Sequence, residues 1–100
     1  MIDGYLLNMR VFNDVSDSKA QALKPLEEAA EVFGAWQDYD DMCFSQVMTA
    51  RGAYRNDLIN ECMDTVQAIA NLLAAVGATQ GEADAAIRRM DARNENRGRL

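Results

Sequence analysis

Between Ser18 and Arg93 the apolar positions recur at intervals of three and four, the spacing of helices that bury one face. A first helix is predicted over Ser18 to Gln37. Pro25 interrupts its first turns, so that it should begin near Lys24 or kink there. A second is predicted over Arg55 to Val76, with Gly77 placed to end it. A third is predicted over Gln80 to Arg93, opened by Thr79 and Glu82 at the spacing of a capping box. Residues 3 to 14 are expected to form a short additional helix. From Asp38 to Tyr54 the acidic cluster Asp38, Asp40 and Asp41 breaks the pattern and CFSQVMTARGAY has no clean period. That stretch reads as a connection with a turn of helix at most, long enough in a small domain to suggest a functional role.

The expected architecture is therefore all-α, an antiparallel bundle of about four helices in a single domain spanning residues 1–100. A chain of 100 residues, 49% of them hydrophobic, has a modest core of its own, so completion of the bundle by a homodimer or homotetramer is expected. No apolar run reaches membrane-spanning length. The N-terminus, MIDGYLLNMR, lacks the charged and apolar regions of a secretory signal, and the expectation is a cytoplasmic protein.

On a helical wheel, Leu58, Cys62, Val66, Ile69, Leu72, Leu73 and Val76 share one broad arc, read as the core face. Glu61, Asp64, Ala68 and Asn71 form a stripe at its edge. The first helix repeats the design: Leu26, Ala29, Val32, Phe33 and Trp36 make the apolar arc, with Glu28, Glu31 and Ala35 beside it. Both stripes read acid, two residues, acid, three residues, alanine. Two like charges one turn apart cost only about 0.2–0.5 kcal/mol when solvated. Four brought together by antiparallel packing, in a partly buried place, would cost far more unless a cation offset them.

Composition narrows which cation. Histidine is absent, which removes serine–histidine and cysteine–histidine nucleophiles and the commonest transition-metal ligand. Cys43 and Cys62 do not amount to a disulfide framework, and Cys62 reads as a small buried apolar residue. Oxygen-only ligation by carboxylates suits magnesium or manganese, and a magnesium ion held by few protein groups keeps positions open for water and phosphate. The net charge of −6 excludes a general nucleic-acid backbone binder. It also hides an asymmetry: Arg88, Arg89, Arg93, Arg97 and Arg99 fall in the last thirteen positions, whereas most carboxylates precede Thr65.

The paired segments LKPLEEAAEVFGAW and NECMDTVQAIANLL resemble the metal-binding core of the MazG-like, all-α nucleoside triphosphate pyrophosphohydrolases, whose signature is EExxE on one helix and ExxD on the next. Here these are Glu27, Glu28 and Glu31, then Glu61 and Asp64; the likeness covers roughly residues 20 to 98. The resemblance implies magnesium-dependent cleavage of the α–β phosphoanhydride of a nucleotide, releasing a nucleoside monophosphate and pyrophosphate. It implies Glu28, Glu31, Glu61 and Asp64 as metal ligands. Glu27 and Glu28 would be the catalytic carboxylates, Glu27 holding a water outside the metal's own ligands or acting on the attacking one. The tail DARNENRGRL resembles the basic segment after the last helix of that family, which makes Arg93, Asn94 and Arg97 candidates for phosphate contact; the other reading is a solvated C-terminus whose arginines complement the helix dipole.

Asn71, two turns beyond Glu61 on its stripe, either reaches a base or sugar edge or bonds a neighbouring backbone group. Trp36 reads as core or dimer interface before base-stacking, and Met42, Met48, Met63 and Met90 as core fillers. Tyr54 and Arg55 stand just before the second acidic helix, within reach of a substrate there. Related bundles act on dUTP, dCTP, modified nucleotides or phosphoribosyl-ATP. The last branch carries a histidine after ExxD that this chain lacks. A non-catalytic helical oligomerisation module with an acidic stripe is compatible with the same composition.

Overall fold

The computed structural model describes residues 2–42 and 48–100, with α2 side chains described from Arg51 onward. It contains α1 (Lys19–Asp41), α2 (Met48–Ala75) and α3 (Gln80–Asn96) and, among the described residues, no strand. Among the described residues there are three helices where about four were expected. No described helix is long and apolar enough to cross a membrane.

The helix ends follow local chemistry. Ser18 caps α1, its hydroxyl accepting from the Gln21 amide at 3.3 Å, and the helix runs through Pro25 rather than starting after it. At the other end α1 continues through Asp38, Asp40 and Asp41, which the broken pattern had assigned to a connection. Likewise α2 begins at Met48, ahead of the expected Arg55. Cys43 and the Met48 side chain, both read from the sequence, lie outside the described residues. Gly77, with φ of 77°, closes α2 in a Schellman motif: the Ala78 amide donates to the Leu73 carbonyl and the Gly77 amide to that of Ala74, both at 3.0 Å. Thr79 and Glu82 form the expected capping box, and α3 extends to Asn96.

Residues 2–17 are not helical. They form a strap tied to α2 side chains through two of its backbone groups. Gln67 Nε2 donates to the Arg10 carbonyl at 2.7 Å, and the Phe12 amide donates to Asn71 Oδ1 at 3.1 Å. These bonds hold the chain extended where a helix would have used the same groups internally.

The α1–α2 pair is antiparallel, since Glu28 and Glu31 meet Glu61 while the later Asp38 shares a cleft with the earlier Tyr54 and Asp57. Its seam follows intermediate or buried residues at alternating steps of four and three: Gln21, Pro25, Glu28, Val32, Ala35 and Tyr39 on α1, and Tyr54, Leu58, Glu61, Thr65, Ala68 and Leu72 on α2. That is the spacing of a two-helix coiled-coil contact. Of the stripe expected at the edge of the core, Glu28, Ala35, Glu61 and Ala68 are thus in the seam, while Glu31 and Asp64 are exposed beside it. Ala68 and Asn71, at 5% and 3% exposed, are the buried residues among those described.

Much of the arc expected inside is outside instead. Leu26 is 68% exposed and Phe33 59%, and Trp36, Ile69, Leu73 and Val76 are also exposed. Cys62 is half-buried, while Met63 and Met90 are exposed and do not fill the core of this chain. On antiparallel helices at about 100° per residue, Glu27, Glu31, Asp57 and Asp64 fall on one side of the seam and Leu26, Phe33, Trp36, Ile69, Leu73 and Val76 on the other. The hairpin has an acidic face and an apolar face.

α3 stands apart. Among the described residues none of its Cα atoms comes within 8 Å of α1 or α2. The radius of gyration is accordingly 16.5 Å, against about 13 Å for a compact domain of this length.

Candidate metal centre in the helix seam

Midway along the hairpin, one carboxylate oxygen from each of Glu28, Glu31 and Glu61 lies within 4.8 Å of the other two. Glu28 and Glu61 are seam positions, half-buried where a coiled coil would carry Leu or Val, and Glu31 sits one turn on from Glu28 at the exposed edge. Small residues make room here: Gly34 and Ala35 on α1 and Ala68 on α2 leave the backbones close and the carboxylates unobstructed.

The electrostatics are unbalanced. Near the cluster, Lys24 pairs with Glu27 at 3.3 Å, both side chains more than half exposed. Burial raises the Glu28 carboxyl above the ordinary range; the charge of Glu31 and a shared proton with it add to the effect, Lys24 opposes it, and Asp64 adds a smaller push. Glu61 is raised by burial first, then by its hydrogen bond to Glu31 and by the charges of Glu31, Asp64 and Glu28. Glu61 Oε2 is shut off from solvent and has no hydrogen-bond partner. An orphaned carboxylate oxygen at the centre of an all-carboxylate set fits a hard cation.

Two clefts adjoin the cluster. The larger, of about 360 Å³, is lined by Glu31, Gly34, Ala35, Asp38, Tyr54, Asp57, Asn60 and Glu61. The smaller, of about 110 Å³, is walled by Phe12, Lys24, Glu28, Asp64, Gln67, Ala68 and Asn71. The first is within the size range of small-ligand sites.

The residues singled out from the sequence are gathered unevenly. Glu28, Glu31 and Glu61 converge. Asp64 is exposed and close enough to act on Glu28 and Glu61 by its charge, but it is not one of the three converging oxygens. Glu27 points to Lys24. Asn71 lines the smaller cleft, with its Oδ1 already accepting from the Phe12 amide and from Gln67 Nε2. Arg93, Asn94 and Arg97 lie on or at the end of α3, away from the cluster, with Asn94 accepting from Arg99 at 3.3 Å. Sequence reasoning missed Asp57 and Asn60, although they extend the α2 stripe one turn back from Glu61 and Asp64. It also missed Phe12 and Lys24, which only the strap and the helix pairing bring to the site.

No protein-family model, curated protein or solved structure matches the chain.

Proposed function

We propose that this protein is a magnesium-dependent nucleotide pyrophosphohydrolase, cleaving the α–β phosphoanhydride of a nucleoside triphosphate or modified nucleotide to a monophosphate and pyrophosphate. The observation that carries the reading is the convergence of Glu28, Glu31 and Glu61 in the seam, with Glu61 Oε2 buried and unpartnered beside a cleft of about 360 Å³. The likeness of EExxE and ExxD to the MazG-like motifs supplies the reaction class.

Magnesium, or manganese in its place, would supply charge neutralisation on the phosphates and a more acidic bound water. The chain's own part is positioning. Glu28, Glu31 and Glu61 offer the converging oxygens, and Asp64 adds negative potential one turn away. Glu27, once released from its exposed pairing with Lys24, is the carboxylate free to accept a proton from water. Gly34 and Ala35 keep the larger cleft open for the nucleotide. Arg93, Asn94 and Arg97 stay outside this assignment because α3 leaves the hairpin. The exposed apolar face supports a homodimer or homotetramer, and cytoplasmic magnesium and nucleotides would suit the activity.

The same apolar face favours a second reading, a non-catalytic helical oligomerisation module. Pyrophosphate release from a panel of canonical and modified nucleoside triphosphates, with and without magnesium, separates the two. Wild type should release pyrophosphate only with magnesium, and Glu31→Ala should not; no release from any nucleotide sinks the enzymatic reading. Thermal melting gives a second arm: an enzyme of this kind gains stability from low-millimolar magnesium, keeps only part of the gain in Asp64→Asn and loses it in Glu61→Gln, whereas a module is indifferent.

A further inference from the structure

A 17-residue helix with little tertiary packing is marginal in water, yet α3 is capped at both ends and, among the described residues, none of its Cα atoms comes within 8 Å of α1 or α2; only its first turn, at Gln80 and Ala83, borders a cleft beside Leu73 and Ala74. It carries its own apolar stripe, on which Ile87 is 49% and Met90 44% exposed. The accessible surface of the chain is 8030 Å², whereas a compact monomer of 11.1 kDa has about 5,700 Å². The excess, about 2,300 Å² per chain, is what an obligate interface between two copies would remove.

Charge and spacing say where α3 goes. Residues 1–79 carry twelve carboxylates against five basic side chains, whereas from Arg88 onward there are five arginines against two carboxylates. The C-terminal turns of α1 hold Asp38, Asp40 and Asp41 with no basic residue in the last turn, at the negative end of the helix dipole. On the apolar flank of α1, Leu26, Phe33 and Asp40 stand in one line at steps of seven; on α3, Ala83, Met90 and Arg97 do the same. Between these lines lie Ala29 and Trp36 on α1, and Ala86 and Arg93 on α3. Laid parallel, the two helices bring apolar residues together at one end and a cation to the acidic end, with Arg93 over the Trp36 ring.

We propose that α3 of one copy packs, parallel, on the outer face of α1 of a second copy, Ala83, Met90 and Arg97 opposite Leu26, Phe33 and Asp40, and that the exchange is reciprocal. This deepens the oligomeric part of the reading above, on which it rests. Closure onto the chain's own α1 is the competing arrangement, and in this structure the Schellman turn at Gly77 and the capping box at Thr79 direct α3 away from it.

The test uses full-length chains with Cys43→Ser and Cys62→Ala as background. Phe33→Cys is made in one preparation and Met90→Cys in another, and the two are mixed and oxidised. The expected result is a disulfide-linked pair of chains from the mixture, and a light-scattering mass of twice 11.1 kDa for wild type. If a chain carrying both Phe33→Cys and Met90→Cys, oxidised alone, closes only within single chains, α3 folds onto its own hairpin and the proposal is overturned. A dimeric mass without any cross-link overturns the exchange while leaving association intact, and a monomeric mass overturns both. Because cysteine at Phe33 could perturb folding, the exposed pair Asp40 and Arg97 gives an independent arm. Arg97→Asp should weaken association about tenfold, and adding Asp40→Arg should restore it; no restoration counts against the register.

Discussion

Replacing Asn71 by alanine tests the strap directly. Asn71 is 3% exposed, and its Oδ1 accepts two hydrogen bonds, from the Phe12 amide at 3.1 Å and from Gln67 Nε2 at 3.0 Å. A backbone N–H can only donate, so the side-chain amide orientation is fixed by the Phe12 bond. In Asn71→Ala, Gln67 keeps its 2.7 Å bond to the Arg10 carbonyl, and the principal loss falls on the Phe12 amide. Each hydrogen bond is worth about 1 kcal/mol net, so the variant should lose about 1–2 kcal/mol. For a chain of this size that lowers Tm by about 4–8 °C per kcal/mol. Amide hydrogen exchange localises the effect: Phe12 should exchange about tenfold faster, the equivalent of about 1.4 kcal/mol, while amides in the middle of α1 should change less. Asn71→Asp retains an acceptor and should restore Phe12 protection. If Phe12 exchanges at the wild-type rate in Asn71→Ala, or as fast in Asn71→Asp as in the alanine variant, Oδ1 is not what holds the strap.

Two further outcomes follow from the seam and the caps. Glu28 and Glu61 have carboxyls raised above their unfolded values, so the folded chain holds more protons; their contribution to stability is fully present below the unfolded pKa of about 4.5 and is lost as pH rises through the raised values. Without divalent metal, the Tm advantage of Glu61→Gln over wild type should therefore widen between pH 4.5 and 8, and a constant gap would contradict the burial and repulsion assigned to the site. Thr79→Ala removes the hydroxyl that accepts from the Glu82 amide at 3.1 Å and should cost about 1 kcal/mol, read as lost helicity by circular dichroism.

The pairing of the motifs was legible because carboxylates three apart on two helices keep their spacing whatever the helices pack against. Sorting residues into an apolar arc and an acidic stripe was also correct. That the contact would lie on the boundary between the two was not legible. The wheel treats apolar as inside, but a chain with two long helices and a detached third buries only one narrow seam by itself. Here Val32, Leu58 and Leu72 of the arc share that seam with Glu28, Ala35, Glu61 and Ala68 of the stripe. The strap escaped for a different reason. Residues 3–14 give weak local periodicity, and their conformation is set by Gln67 and Asn71, which lie far away in sequence. Asp38, Asp40 and Asp41 break the apolar pattern without breaking the helix, since exposed aspartate costs a helix only a few tenths of a kcal/mol.

With only Ala68 and Asn71 buried among the described residues, an isolated copy has less surface left to expose on unfolding than a compact domain of its mass, about 8,000 Å² against about 10,000 Å². The steepness of a denaturant titration scales with that newly exposed surface, as does the heat-capacity step on melting. A lone chain should therefore come apart gradually, with a shallow m-value, helix by helix. Sharp, all-or-none unfolding would have to come from neighbouring copies closing over the apolar face, which makes cooperativity a collective property that rises with protein concentration.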